Sequence, residues 1–417
     1  MRALATWQDK CIDSQLLVAS LVMLFKQREL DTDKLLRGTG IFIADIRKPD
    51  HLISPKQLSR LLDNALSLWP SGDLSFLLGQ RWLPSQSGAL TAAMFCAQDL
   101  QALSRVWHKY HWLTQPWLQT WCCQGEHEWH YLVSLDLGMQ RHRQFLIELS
   151  LSSLTAACKQ LLGQAWRGSL CFPYRAPDNL AHYYKYFGTD LSFDAPLCRI
   201  SMTKAQLRQP SLFARQSAAY AISNGEEWDD NLIHNGVIDD GVIHHGASHS
   251  VGDSLALASQ AIASQTIGTQ ATASQPIVSQ QNRLDQAPNI MSAPDIAPAP
   301  NMTQAARQAL LAHEFRLGLA GGIRLKLMRS TLSLPEMAQS LEMSPATLKR
   351  RLTEMGLSYG QLADETRLIR ALYFLAEPEQ DAHTIANSLS FSDASNFRRS
   401  FKRWTGQLPA YFRFWLA

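Results

Sequence analysis

Apolar positions along the first 220 residues fall into short periodic blocks, and their period changes partway. Leu16 to Phe25 is a ten-residue apolar run broken by Ser20, preceded by Asp13 and followed by Lys26, Arg28 and Glu29. A bilayer span needs about 20 apolar residues, so the run predicts a buried helix. Asp31-Thr-Asp leads into Lys34-Leu-Leu and stops at Gly38, a short capped helix. Ser54-Pro55 opens another, with Leu58, Leu61, Leu62, Ala65, Leu66 and Trp69 at helical spacing before Pro70. Asp99 to Leu113 is a third. Then the period becomes that of strands. Leu118 to Cys123 and Trp129 to Leu135, separated by Gly125-Glu-His-Glu, predict a hairpin. Gln140 to Leu162 reads as a long apolar helix. Leu170-Cys-Phe, Leu191-Ser-Phe and Leu197 to Met202 read as short strands around a helix near Leu180–Phe187. The expectation is one α+β domain over residues 1–221.

From Ile222 the pattern collapses. Over 222–302 the only aromatic is Trp228 and the only basic residue is Arg283, with Ser-Gln or Thr-Gln recurring at Ser259, Ser264, Thr269, Ser274 and Ser279. Five is neither a helix nor a strand period, and the small apolar residues cannot offset chain entropy. A low-complexity, disordered linker is expected here. His234, His244, His245 and His249 fall inside it, where no fixed ligand geometry is expected.

Residues 303–417 are helical in pattern, and one plan occurs twice. Leu334, Met337, Ala338 and Leu341 form an apolar face, a turn Glu342-Met343-Ser344 follows, and a second helix turns Leu348 and Leu352 inward and Lys349, Arg350 and Arg351 outward. The second copy has Ile385, Ala386 and Leu389, the turn Ser390-Phe391-Ser392, and a helix with Phe397, Phe401 and Trp404 inside and Arg398, Arg399, Lys402 and Arg403 outside. A small Ala three residues before a Leu lets two helices cross closely, and Ser344 or Ser392 can cap the second helix. This is helix-turn-helix chemistry. Tyr359 to Leu375 joins the copies as an apolar-periodic helix; its 17 residues span roughly 25 Å. That length suits two recognition helices placed about one DNA turn (~34 Å) apart.

Charge supports this division. Across 417 residues the net charge is only +3, but residues 303–417 carry 15 basic and 10 acidic side chains, and residues 222–302 carry 1 and 9. A basic tail behind an acidic spacer permits nucleic-acid binding. The seven cysteines (Cys11, Cys96, Cys122, Cys123, Cys158, Cys171, Cys198) show no CxxC or zinc-finger spacing and are expected as reduced thiols of a cytoplasmic protein.

The run Ile385 to Arg413, with Phe401-Lys-Arg-Trp-Thr-Gly, Pro409 and Tyr411-Phe-Arg at its end, resembles the signature of bacterial AraC/XylS-type transcription regulators. The resemblance covers roughly residues 305–415. Residues 10–220 are more loosely similar to the arabinose-binding-type sensor domain of the ornithine-utilisation-regulator branch. That likeness is carried by Phe172-Pro-Tyr-Arg-Ala-Pro, Tyr184, Phe187-Gly, Phe193-Asp-Ala, Leu207 and Pro210. The resemblance implies a transcription activator that binds promoter double-stranded DNA, responds to a small-molecule effector, dimerises through its N-terminal domain and can touch RNA polymerase, with no cofactor. Two departures stand out: the family's turn glycines are Glu342 and Ser390 here, and the linker is long.

Carried over by position, the base-reading residues are Ala346, Thr347, Lys349 and Arg350 in the first unit and Ser395, Asn396, Arg398 and Arg399 in the second. Arg and Lys can reach guanine, Asn adenine, and Ala or Thr methyls thymine. Arg351, Lys402 and Arg403 suit phosphates. In the first domain Trp107, Tyr110, Trp112 and Trp121 are candidates for an effector pocket; core packing explains the same aromatics. No catalytic or metal-ligating set is expected. No P-loop, HExxH or Ser/His/Asp spacing occurs, and the Pro-Cys-His-Arg methyl-acceptor motif of AraC-linked DNA-repair alkyltransferases is absent. The rival readings are a ligand-independent architectural DNA binder and a thiol-based redox sensor built on Cys122-Cys123.

Overall fold

A computed structural model describes residues 4–48, 51–83, 89–213, 317–376 and 380–416. The linker expected over 222–302, with its Ser-Gln repeats and four histidines, lies outside the described residues.

The N-terminal part is α+β. Strand β1 (Ile12–Asp13) pairs with β2 (Leu52–Ile53) beside helices α1 (Leu17–Gln27), α2 (Thr32–Leu36), α3 (Ile43–Ile46) and α4 (Pro55–Leu68). Local chemistry explains these bounds. Asp31 caps α2, and Ser54 with Gln57 forms a capping box at the start of α4, with Pro55 at its first position. Leu58, Leu61, Leu62 and Ala65 are buried on α4, and Trp69 packs on Phe25. Leu66, which helical spacing placed on the same face, is exposed, because it lies about 100° round the helix from Ala65 and past the edge of the contact.

Helices α5 (Leu74–Arg81), α6 (Ala89–Phe95) and α7 (Leu100–Tyr110) precede the predicted hairpin, β3 (Leu118–Gln124) and β4 (Glu128–Leu135). Then come α8 (Arg143–Leu162), β5 (Ser169–Cys171), α9 (Leu180–Phe187), β6 (Leu191–Ser192), β7 (Cys198–Thr203) and α10 (Lys204–Leu207). Five strands make one sheet in the order β3-β4-β7-β5-β6, antiparallel except for β5 with β6. Helix α8 is almost wholly buried, and its serines stay satisfied inside. Ser150 accepts from the Trp117 indole, Ser153 from Gln115, and Ser152 donates to the Phe76 carbonyl. Helix α5 crosses α8 at Gly79, where a Cβ would lie 2.6 Å from Ser152 Cβ. The buried Glu148 carboxyl accepts from Ser75, Tyr183 and Gln144, and burial holds its pKa above the ordinary carboxylate range.

Strand alternation gives the sheet two different faces. Trp129, Tyr131, Val133 and Leu135 of β4 point into the N-terminal core, with Trp107 of α7 against Tyr131. Trp121 and Cys123 of β3, Leu132 of β4 (opposite Trp121 in the register) and Leu197 point the other way, into a second cluster.

That cluster belongs to the C-terminal helices α11 (Leu319–Arg329), α12 (Leu334–Ser340), α13 (Pro345–Glu354), α14 (Tyr359–Ala376), α15 (Ala382–Ser388), α16 (Ala394–Thr405) and α17 (Pro409–Leu416). Helix α14 serves two cores. Its first half, with Leu362 and Ala363, packs with Leu319, Ile323, Met337, Ala338, Leu348 and Leu352. Its second half, from Leu368 to Leu375, packs with Ile385, Ala386, Leu389, Phe397 and Phe401 and with the outer face of the sheet. Arg370 ties the two bodies together, donating to the Ser388 carbonyl (2.7 Å) and the Leu327 carbonyl (3.4 Å).

Candidate nucleic-acid interface

Each C-terminal core carries a helix-turn-helix. In the first, Ser333 and Glu336 make a capping box that starts α12. The chain then turns through Glu342 at φ +56°, and the Met343 amide returns to the Ala338 carbonyl. In the second, Asp381 caps α15, Ser390 sits at φ +61°, and the Phe391 amide returns to the Ala386 carbonyl. Both turns thus use the left-handed backbone that glycine adopts freely, at a cost of about 1 kcal/mol for each side chain present.

The turns aim the second helix of each pair. Ser344 caps α13 by accepting from the Thr347 amide. In α16 the cap is Asp393 and not Ser392. Asp393 accepts from the Asn396 amide at 2.7 Å, and that bond holds its carboxyl below the ordinary range, while the Ser392 hydroxyl donates to Asp393. A carboxylate there also complements the helix dipole, so it displaces the serine one position upstream.

Of the predicted base readers, Ala346, Lys349, Arg350, Ser395, Arg398 and Arg399 are exposed, and Thr347 and Asn396 are half-buried. Asn396 also donates its side-chain amide to Ser392. Of the predicted phosphate contacts, Lys402 and Arg403 are exposed and Arg351 is half-buried. Among the described residues, two of these cations have carboxylate partners. Arg350 Nη1 meets Glu354 Oε1 one turn along its own helix, and Arg403 Nη2 lies 3.4 Å from Asp364 on α14. On the inner sides Leu348, Leu352, Phe397 and Phe401 are buried. Each of α13 and α16 therefore shows an apolar inner face and a cationic outer one.

The four aromatics proposed for an effector pocket do not share one site, although Tyr110 packs against the same core as Trp107. Trp107 lies inside the N-terminal core, Trp121 on the opposite face of the sheet, and Trp112 donates its indole N–H to the Lys109 carbonyl. Trp121 instead covers the connecting helix. The adjacent thiols are protonated: burial pushes Cys122 up to about 12 and Cys123 well above its ordinary value. Sequence reasoning missed the seam between the two halves, carried by Gln119, Ser134, Asp136, Arg324 and Glu365. Its one legible signal was a helix that opens on Gly318-Leu-Ala-Gly-Gly, an expensive composition unless another backbone comes close.

Residues 30–211 match the family described as the arabinose-binding domain of AraC transcription regulator, N-terminal, and residues 337–413 match a helix-turn-helix domain family. The ornithine utilization regulator of Pseudomonas aeruginosa is 35% identical over 116 residues, which are 27% of this chain and 34% of that protein. The HTH-type transcriptional regulator VqsM of the same species is 33% identical over 100 residues, 22% of this chain and 31% of its own. The matched stretch thus spans about a third of the length of these curated relatives. The solved structure of the transcriptional regulator CdpR from Pseudomonas aeruginosa aligns over 95% of this chain and 97% of its own, at 16% identity and a TM-score of 0.37. The chain therefore carries, in one polypeptide, an N-terminal domain of the AraC-regulator arabinose-binding type and a C-terminal helix-turn-helix domain of a DNA-binding transcription regulator.

Proposed function

We propose that this chain is a cytoplasmic regulator that binds promoter double-stranded DNA through α13 and α16 and activates transcription in response to a small molecule. The observation that carries the reading is the pair of exposed cationic helices, each set at its angle by a capped helix-turn-helix around its own apolar core. In this reading Ala346, Thr347, Lys349, Arg350, Ser395, Asn396, Arg398 and Arg399 face base edges, and Arg351, Lys402 and Arg403 hold phosphates. The work divides at residues 1–221, 222–302 and 303–417 into sensing and dimerisation, tethering, and DNA binding. The effector arm is supported by the match of residues 30–211 to the arabinose-binding-type domain.

The test is a selection from a randomised duplex pool with the full chain, followed by footprinting. Two protected half-sites about one turn apart on one face of the duplex support the reading. Uniform protection without sequence preference would instead describe an architectural binder, and no retention of any duplex would refute DNA binding.

A further inference from the structure

Directly after β4 the chain runs Asp136-Leu137-Gly138, and this tripeptide is wedged against the first helix-turn-helix unit. Leu137 is fully buried at φ +56° and Gly138 has φ +72°. A leucine holds that backbone only where its surroundings dictate it. A Cβ on Gly138 would lie 2.6 Å from Met355 Cβ, directly after the first recognition helix.

Asp136 is buried, and its carboxylate does an unusual job. Oδ2 accepts from the Gly318 amide at 2.8 Å and Oδ1 from the Gly321 amide at 2.9 Å. Gly318 is the N-cap of α11 and Gly321 its third residue. In a capping box those two amides are satisfied by the side chains of these same two positions, as Ser333 and Glu336 do for α12. In α11 both positions are glycine, and one carboxylate from the N-terminal domain satisfies both amides. The glycines make room for it: a Cβ at either position would come within 2.4 Å of a carboxylate oxygen.

A second attachment lies alongside. Arg324 of α11, fully buried, donates to Glu365 of α14 at 2.9 and 3.0 Å and to Gln119 of β3 at 3.4 Å. Ser134 of β4 donates to the same Glu365, and Gln119 donates to the Gly321 carbonyl at 3.3 Å. The second unit meets this same sheet through Trp121 and Leu132. Both recognition helices are therefore held on one rigid surface, and their exposed cationic faces stay clear.

We propose that Asp136 is a positioning residue for DNA reading: by capping α11 from the sensor domain it fixes the first recognition helix relative to the second. The proposal rests on the DNA-binding reading above. With the latch open, α11 would keep its Arg324 attachment to β3 and α14 but lose the cap that fixes its N-terminus on the sheet, and the permitted spacing between half-sites would widen.

The test uses the full chain and the bipartite site it selects from a randomised 30-bp duplex pool, remade with one base pair inserted or deleted between the half-sites. Wild type should lose at least tenfold in affinity on either change. Asp136→Ala should lose less than threefold, bind the original spacing several-fold more weakly, and exchange its Gly318 and Gly321 amides at least tenfold faster. Asp136→Asn keeps one acceptor but turns its NH2 toward the second amide, so it should restore only part of the discrimination and fall between wild type and Asp136→Ala, with one of the two amides still exchanging fast. Gly321→Ala covers the case in which Asp136→Ala fails to fold. Alanine is the better helix former, yet its methyl would push the carboxylate away, so it should relax spacing like Asp136→Ala. Unchanged spacing discrimination in Gly321→Ala, or in a folded Asp136→Ala, overturns the latch while leaving DNA binding standing. If wild type retains no duplex, the DNA-binding reading fails and the latch falls with it.

Discussion

Arg350 is the side chain on which the base-reading assignment can be tested most sharply, because its carboxylate partner is known. Its guanidinium is exposed and paired to Glu354 at i,i+4. Such a pair contributes only about 0.3–0.5 kcal/mol, whereas a bidentate contact to guanine discriminates by about 1–3 kcal/mol. Exchanging one for the other therefore leaves a net gain on the order of 1–2 kcal/mol, and Arg350→Ala should weaken the selected site about five- to thirtyfold. The loss should concentrate at one base pair. Glu354→Gln perturbs the same pair from the other side. It removes the competing acceptor together with a negative charge near the phosphates, so it should tighten binding a few-fold. Fluorescence anisotropy on selected and scrambled duplexes, at several salt concentrations, reads both variants. Equal weakening of selected and scrambled DNA by Arg350→Ala would refute the placement of α13 in the major groove. A Glu354→Gln protein that binds more weakly would show that the pair positions Arg350 for DNA and does not compete with it.

Lys402→Ala should weaken selected and scrambled DNA alike and lower the slope of log affinity against log salt by about one, the signature of one lost phosphate contact; loss of base preference would contradict it. Ser390→Gly should raise the thermal midpoint slightly, because relief of a left-handed serine outweighs the added freedom of the unfolded chain; calorimetry decides, and a lower midpoint would mean the hydroxyl contact with Thr331 matters more. Asp393→Ala should cost about 1 kcal/mol of stability by removing the α16 cap, read by denaturant unfolding. Glu148 has its folded pKa raised by burial, so the protein binds that proton more tightly folded than unfolded, and its contribution is lost as pH rises above the unfolded value near 4.5. Glu148→Gln should therefore gain stability relative to wild type between pH 4 and 7; a constant difference across that range would refute the assignment.

What could be read in the sequence was local. Periodicity and caps located α4 and the β3–β4 hairpin because a Ser54-Pro55 start and a Gly125 turn act within a few residues of themselves. The helix-turn-helix pairs were legible because Leu348, Leu352, Phe397 and Phe401 mark their inner faces at helical spacing. The seam was not. Asp136 and Gly318 are 182 residues apart, and nothing near either names the other. The aromatic grouping failed for a different reason. Trp107 and Trp121 are close in sequence, but alternation along β3 sends Trp121 to the far side of the sheet. The choice between Ser392 and Asp393 as cap turned on a single residue of helix phase, which spacing does not resolve.

The outer face of the sheet has a consequence for how the protein is made. Trp121 and Leu132 leave the ribosome early, whereas Leu372, in the connecting helix that covers them, is 240 residues further on than Leu132. At roughly 5–20 residues per second, an apolar strand surface stays uncovered for about 12–50 seconds of synthesis. During that interval the nascent chain is a template for self-association and a substrate for any chaperone that holds apolar strands. A chain that terminates anywhere before α14 never closes the face, so truncated products should be recovered in inclusion bodies in a larger fraction than the full chain.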